Sequence, residues 1–155
     1  MASKEIQLSK GQVALVDDED FEWLSKYAWW AHWHRPSKQY KARTTIKGKN
    51  HFMHRMVLNA PKGRQVDHRN GNQLDNRREN LRLCTHGQNQ ANRRPYNKTG
   101  YKGVCVTRCG TFTAYLMSNK KHNYLGAFST PEDAARAYDA AAKKLHGDFA
   151  YLNFK

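Results

Sequence analysis

The chain reads as an α+β protein made of small antiparallel sheets and few helices. Three observations predict this. Runs of β-branched and aromatic residues at 5–16, 40–45, 50–57 and 103–128 are short and broken by turn residues. Sustained helical spacing is confined to one late stretch, in which Ala134, Ala135, Tyr138, Ala141, Ala142 and Leu145 recur on one face. The length, 155 residues, suits one domain or two or three small modules with modest cores.

Residues 5–16 read as two strands around a turn at Lys10 and Gly11. Asp17 to Asp20 then precede Phe21, Trp23, Leu24 and Tyr27. Acids there suit the positive end of a helix dipole, so a helix is expected. Trp29, Trp30 and Trp33 follow with His32 and His34. This stripe reads as the core of a small sheet rather than a base-stacking surface. Residues 40–45 and 50–57 read as further strands, completing an N-terminal module over 1–60. From Pro61 to Arg94 apolar residues thin out and Asn, Arg and Gly take over. Within this segment a strand ending in Asp67-His68, a loop at Asn70-Gly71, a strand near Leu81 to Cys84 and a helix from about His86 form a β-β-α hairpin. Residues 95–100 read as a linker. The last module, 101–155, is predicted to hold strands at 103–108, 112–117 and 122–128. Its helix is opened by Thr130-Pro131-Glu132-Asp133 and stopped at Gly147 after Lys143, Lys144 and His146.

Charge narrows the function. Lys and Arg number 27 against 13 Asp and Glu, giving +14 and a pI near 9.9. An excess of this size favours a polyanion, nucleic acid before an anionic membrane, over plain solubility charge. No apolar run nears the roughly 18 residues of a membrane helix, so no membrane association by spanning is expected. The start, Met-Ala-Ser-Lys-Glu-Ile, lacks an apolar signal core. Cys84, Cys105 and Cys109 are too few for a disulfide framework or a four-thiolate zinc site, which fits a reducing cytoplasm. Cys105 and Cys109 read as packing or surface thiols.

The polar segment carries residues suited to phosphodiester hydrolysis. That reaction needs a base for water and a cation for the phosphate and the departing oxygen. A neutral His serves as base near physiological pH, and a hard divalent cation takes oxygen ligands. Asp67 offers a carboxylate and Asn89 an amide oxygen. Across 62–94, eight basic residues stand against three acids. Of these, Arg69, Arg77, Arg78, Arg82, Arg93 and Arg94 are expected to hold a nucleic-acid backbone.

Asp67-His68, Asn70-Gly71, Asn80-Leu81-Arg82 and Asn89 together closely resemble the HNH endonucleases, above all the homing enzymes of phages and introns. The likeness is strong over 54–94 and looser from about residue 5. Asn80 lies 12 residues after His68 and Asn89 lies 21 after it, as in those enzymes. The resemblance implies a β-β-α-metal core over 61–94, with His68 as general base and Asp67 and Asn89 as metal ligands. It implies that Asn80 holds the loop and orients His68. His86 is the lower-ranked alternative for the final position, and His54-Arg55 is read as structural or phosphate-contacting. The cofactor expected is one divalent cation, Mg²⁺ before Mn²⁺, and not zinc. The products implied carry 5′-phosphate and 3′-hydroxyl ends. A monomer or weak dimer would nick or cut double-stranded DNA in the cytoplasm of a bacterium or phage-infected host, a monomer nicking one strand.

Residues 99–155 resemble the plant Apetala-two/ethylene-response-factor DNA-binding domain. The likeness rests on Gly100-Tyr101-Lys102-Gly103-Val104, Leu125-Gly126, Phe128, Glu132 to Asp139, Ala150 and Leu152-Asn153-Phe154. That family lays a three-stranded sheet in the major groove with a helix behind it. The scaffold residues match, whereas the reading face departs. The plant Arg and Trp positions correspond here to Lys102, Cys105, Thr107, Cys109, Thr111, Tyr115 and Met117, with Tyr124 for the last Trp. Lys102, Arg108, Thr111, Tyr115, Lys120 and Lys121 are the expected DNA contacts. The competing readings are a non-catalytic DNA-binding regulator that keeps the nuclease fold, and a basic packaging protein. A nuclease preferring RNA is a variant of the first reading.

Overall fold

The structure, a computed structural model, describes residues 2–118 and 121–154. Expected contact Lys120 lies outside them. The chain is mixed α and β, its sheets are antiparallel, and it divides into two compact units, residues 1–84 and 85–155.

The first unit opens with β1 (Ser3–Gln7) and β2 (Val13–Asp17), paired antiparallel through a short 3-10 turn. Helix α1 (Asp18–Leu24) follows directly, with Asp18, Glu19 and Asp20 in its first turn. A three-stranded sheet comes next, in the order β3 (Trp30–His34), β4 (Gln39–Ile46), β5 (Lys49–Phe52). Residues 53–57, expected to extend the last strand, instead form helix α2 (Met53–Val57). Met53 and Val57 lie one helical turn apart and are both buried, so the same apolar residues reach the core by winding. The tryptophan stripe also divides. Trp29 is buried and its indole N–H donates to the Leu24 carbonyl at 2.8 Å, whereas Trp33 is 45% exposed. A two-stranded ladder, β6 (Gln65–His68) with β7 (Leu81–Cys84), closes the unit. Its core gathers Val16, Leu24, Ala31, Ala42, Met53, Val66 and Leu81.

The second unit begins with α3 (His86–Ala91). Thr85 caps it with a reciprocal box: its hydroxyl accepts from Gln88 N–H, and its own N–H donates to the Gln88 side chain. Strands β8 (Val104–Val106), β9 (Phe112–Ser118) and β10 (Lys121–Phe128) form an antiparallel sheet with β9 in the middle. Helix α4 (Pro131–His146) packs on it, capped by Thr130. Ala134 and Ala135 meet Val104 and Ala114 in one small cluster, and Tyr138 and Ala142 meet Leu116 in another. Small helix residues permit the close approach, and Gly103 shows how close it is. Its φ is +76°, and a Cβ there would stand 2.1 Å from a Tyr138 ring carbon. Among the described residues, no helix is long and apolar enough to cross a membrane.

Candidate active site

Strand β6 ends at Asp67 and His68, both buried at 4% and 6% exposure. Their pairing with β7 sets Asp67 opposite Arg82 and His68 opposite Leu81. Arg82 Nε and one terminal nitrogen both donate to Asp67 Oδ2, at 2.8 and 2.7 Å. This buried ion pair gives the carboxylate a fixed orientation.

The loop leaving His68 is pinned along its length. Gly71 N–H donates to the His68 carbonyl at 2.9 Å. Asn80 ties three points together: its Oδ1 accepts from Asn70 N–H, its Nδ2 donates to the Asp75 carbonyl, and its own carbonyl accepts from Arg69 N–H. Asp75 is the second hub, accepting from Asn70 Nδ2 and from Arg77 Nε and a terminal nitrogen, each at 2.8 Å. The Arg77 guanidinium holds the Asp75 carboxyl below the usual carboxylate range. The N-terminal strands brace the same loop. Leu15 N–H donates to the Leu74 carbonyl, and Asn76 N–H donates to the Leu15 carbonyl. Arg78 N–H donates to Asp17, and its guanidinium clasps Asp20. The acidic group Asp17, Glu19 and Asp20 is therefore occupied by Arg78.

Burial dominates the electrostatics of His68. It lowers the imidazole pKa from 6.5 to about 4, with the Lys41 charge acting in the same direction. The Asn76 amide and the Asp67 and Asp75 carboxylates oppose this without cancelling it. His68 is consequently neutral at physiological pH, the form that accepts a proton. Behind it stands His54, whose ring meets His68 edge-on at 5.2 Å and stacks on Phe52 at 5.6 Å. Burial, followed by His68 and Lys41, keeps His54 well below its ordinary pKa.

Asp67, His68 and Asn80 thus all lie in the first unit, Asp67 paired with Arg82 and Asn80 clamping the loop that leaves His68. Asn89 lies half-buried in α3 of the second unit, one turn into the helix that begins where β7 ends. Arg82 is 9% exposed and its guanidinium serves Asp67, so it is spent inside the fold. Arg77 and Arg78 also hold internal carboxylates, whereas Arg69, Arg93, Arg94, Arg108, Thr111 and Lys121 are exposed. Lys102 Nζ donates to the carbonyls of Gln90 and Ala91, closing the C-terminal end of α3. Tyr115 and Tyr124 pair across β9 and β10 at 5.4 Å on the sheet face away from α4. Sequence reasoning missed Asp75 and Asn76. Their one signal was their place inside the Asn-rich stretch between His68 and Asn80.

Residues 59–91 match the HNH endonuclease family model. This HNH segment holds Asp67, His68, Asn80 and Asn89. The chain is also 29% identical over 149 residues to an uncharacterized HNH endonuclease of Acanthamoeba polyphaga mimivirus, covering 93% of this chain and 76% of that protein. Its C-terminal region is similar to plant transcription factors. Identity is 45% over 56 residues to ethylene-responsive transcription factor ERF010 of Arabidopsis thaliana, and 42% over 57 residues to APETALA2-like protein 2 of Oryza sativa. Those stretches span 30% and 13% of the plant proteins. Both resemblances read from the sequence therefore stand, and the HNH matches support an endonuclease. HNH nucleases as a group use a divalent metal.

Proposed function

We propose that the chain is a homing-type HNH endonuclease that nicks double-stranded DNA and leaves 5′-phosphate and 3′-hydroxyl ends. The observation that carries this reading is the buried Asp67-His68 pair at the end of β6, held by the Asn80-clamped loop inside the HNH segment. Neutral His68 takes a proton from the attacking water. Asn80 touches loop backbone, so it acts as a positioning residue that fixes the chain on either side of the base. Asp67 and Asn89 are the residues that would hold the metal. Their donors, one carboxylate oxygen and one amide oxygen, suit a hard cation such as Mg²⁺ or Mn²⁺ better than zinc. Bound there, such a cation supplies positive charge to the phosphate and the departing 3′ oxygen. The three-stranded sheet of the second unit adds DNA contacts through Arg108, Thr111, Tyr115 and Lys121, with Arg69, Arg93 and Arg94 gripping phosphates nearer the HNH segment. One such site per chain cuts one strand, as a monomer or weak dimer in the cytoplasm of a bacterium or infected host.

The test compares wild type with His68→Ala on DNA spanning the gene's own neighbourhood, with Mg²⁺, Mn²⁺ or EDTA, mapping 5′ ends to the nucleotide. Nicks at a defined position are expected with metal, and His68→Ala slows them by about 10² to 10⁴ while leaving gel-shift affinity intact. Wild-type protein that shifts this DNA yet leaves it whole in both metals would establish the binding-only regulator instead.

A further inference from the structure

We propose that the outer face of the β3–β4–β5 sheet is a second DNA-backbone surface, centred on Lys41 and Arg43, that leads a phosphate strand to His68. The proposal rests on the endonuclease reading and adds a contact surface to it. Strand register defines the face. Trp30 pairs with Arg43, His32 with Lys41, and Arg43 with Phe52 on its other side. The alternate residues Ala31, Ala42 and Thr44 are buried, so the sheet turns these small side chains to the core and sets Trp30, Lys41, Arg43 and Phe52, all half-buried, on its other face, where burial lowers the Lys41 pKa.

Among the described residues, no carboxylate pairs with the cations on this face. Between Trp23 and Val66 the sequence holds ten Lys and Arg and no Asp or Glu. Among the described residues, neither Lys41 nor Arg43 joins an ion pair, and the Arg43 Nε is buried without a hydrogen-bond partner. The contrast with Arg77, Arg78 and Arg82 is direct, since each of those meets a carboxylate within 2.8 Å. Lys41 instead stands over the Phe52 ring at 5.8 Å. Burial lowers the His32 pKa, and the charges of Arg43, Lys41 and Lys10 add in the same direction. A polyanion supplies the missing charge, and Trp30 and Phe52 offer flat apolar surface for sugars beside it.

The face is continuous with the site. Phe52 stacks on His54 at an interplanar angle of 13°, and His54 meets His68 edge-on. The Lys41 charge is felt at both histidines. A strand lying along Lys41 and Arg43 therefore approaches the ring proposed to activate water.

The experiment uses the full chain and a 40-base-pair duplex, with binding followed by anisotropy in EDTA across a salt series. Lys41→Gln/Arg43→Gln is compared with Lys26→Gln/Lys62→Gln, which removes equal charge outside strands β3, β4 and β5. Removal of two phosphate contacts is expected to reduce the slope of log affinity against log salt by about 2, and to weaken binding about tenfold at moderate salt. The second pair is expected to change the slope by less than half of this. Lys41→Arg/Arg43→Lys, which keeps the charge, should restore binding. An unchanged slope, or an equal fall in both charge-removing variants, overturns the proposal. Ultraviolet crosslinking of wild type to bromouracil-substituted duplex gives a second measurement that needs no variant. Crosslinked peptides containing Trp30 or Phe52 support the face, and crosslinks confined to residues 85–155 refute it. Plasmid nicking is scored in parallel. Normal binding by the double variant alongside wild-type nicking removes this surface alone, whereas loss of slope without any nicking removes the nuclease reading alone.

Discussion

In the first unit, Asp75 gathers Asn70 and Arg77 while Asn80 ties the loop to its backbone carbonyl. In the second unit, Asp139 accepts from the N–H groups of Asn153 and Phe154 and from the Asn153 side chain. Asn153 Oδ1 in turn accepts from Lys102 N–H at 2.7 Å. An acid and an asparagine fasten the chain in both places. In the second unit the fastening closes a fold, joining helix α4, the C-terminal segment and the approach to β8. In the first it holds a loop behind a buried base, and ion pairs surround it: Arg77 on Asp75, Arg78 on Asp20 and Arg82 on Asp67. The two units therefore place their stability differently. The first depends on buried charge being matched, and the second on close packing of small residues.

That difference can be broken unit by unit. All four tryptophans, Trp23, Trp29, Trp30 and Trp33, lie in the first unit, so their fluorescence reports on it alone. Ellipticity at 222 nm weights the second unit, which holds the longest helix, α4. The largest effect is expected from Arg82→Ala. It leaves the Asp67 carboxylate buried without its cation, and breaking a pair of this kind costs about 4 kcal/mol. The tryptophan-detected urea midpoint should fall while the ellipticity transition of α4 stays. A shift of both together would mean that the units unfold as one.

Gly103→Ala is the converse. The new Cβ meets the Tyr138 ring at 2.1 Å and the Tyr115 carbonyl at 2.6 Å, at a backbone angle that L-residues avoid. Strain and overpacking together cost about 3 kcal/mol. The loss should appear in the 222 nm transition and leave tryptophan fluorescence unmoved. A variant as stable as wild type would show that β8 and α4 can separate freely.

Acid sharpens the comparison at the buried base. His68 titrates at about 4 folded and near 6.5 unfolded, so below pH 6.5 the unfolded chain binds the extra proton. The stabilisation is complete above pH 6.5 and is lost as pH falls toward 4. Between pH 7 and pH 5 the first unit should lose about 2 kcal/mol from this group, measured in EDTA. His54, also lowered by burial, adds in the same direction. In the second unit His146 is lowered too, but it is less buried, so the 222 nm transition should move less. His68→Phe should flatten the acid dependence of the tryptophan transition, and an unchanged pH profile in that variant would remove His68 from the account.

Much of the local structure was legible in the sequence because local chemistry sets it. Turn residues at Asn70-Gly71 separate β6 from β7, and Thr130-Pro131 starts α4. His68 and Asn80, named through the family resemblance, flank one loop, and Asn80 clamps that loop just beyond His68. The partners were not legible, because they join positions far apart in the chain. Arg82 reaches Asp67 across 15 residues, Arg78 reaches Asp20 across 58, and Lys102 meets Asn153 across 51. No spacing rule told an arginine spent on Asp67 from one left exposed. Residues 53–57 failed for another reason. A five-residue run with apolar ends satisfies strand and helix patterns alike, and burial of Met53 and Val57 on one face decided for the helix.

The smallest expected effect tests whether this local legibility carries energy. Thr130 Oγ1 accepts from Asp133 N–H at 3.2 Å and donates to the Asp133 carboxylate at 2.7 Å, with Pro131 and two acids in the first turn of α4. Thr130→Ala removes both bonds and leaves one first-turn N–H to water, a loss of about 1 kcal/mol. Thr130→Ser keeps the hydroxyl and should lie within a few tenths of wild type. Because α4 supplies Ala134, Ala135, Tyr138 and Ala142 to the second unit's buried clusters, the whole loss should register in the 222 nm transition. If Thr130→Ala matches wild type, the helix is held by packing of its alanine face alone, and the capping signal that located it so plainly contributes nothing to keeping it there.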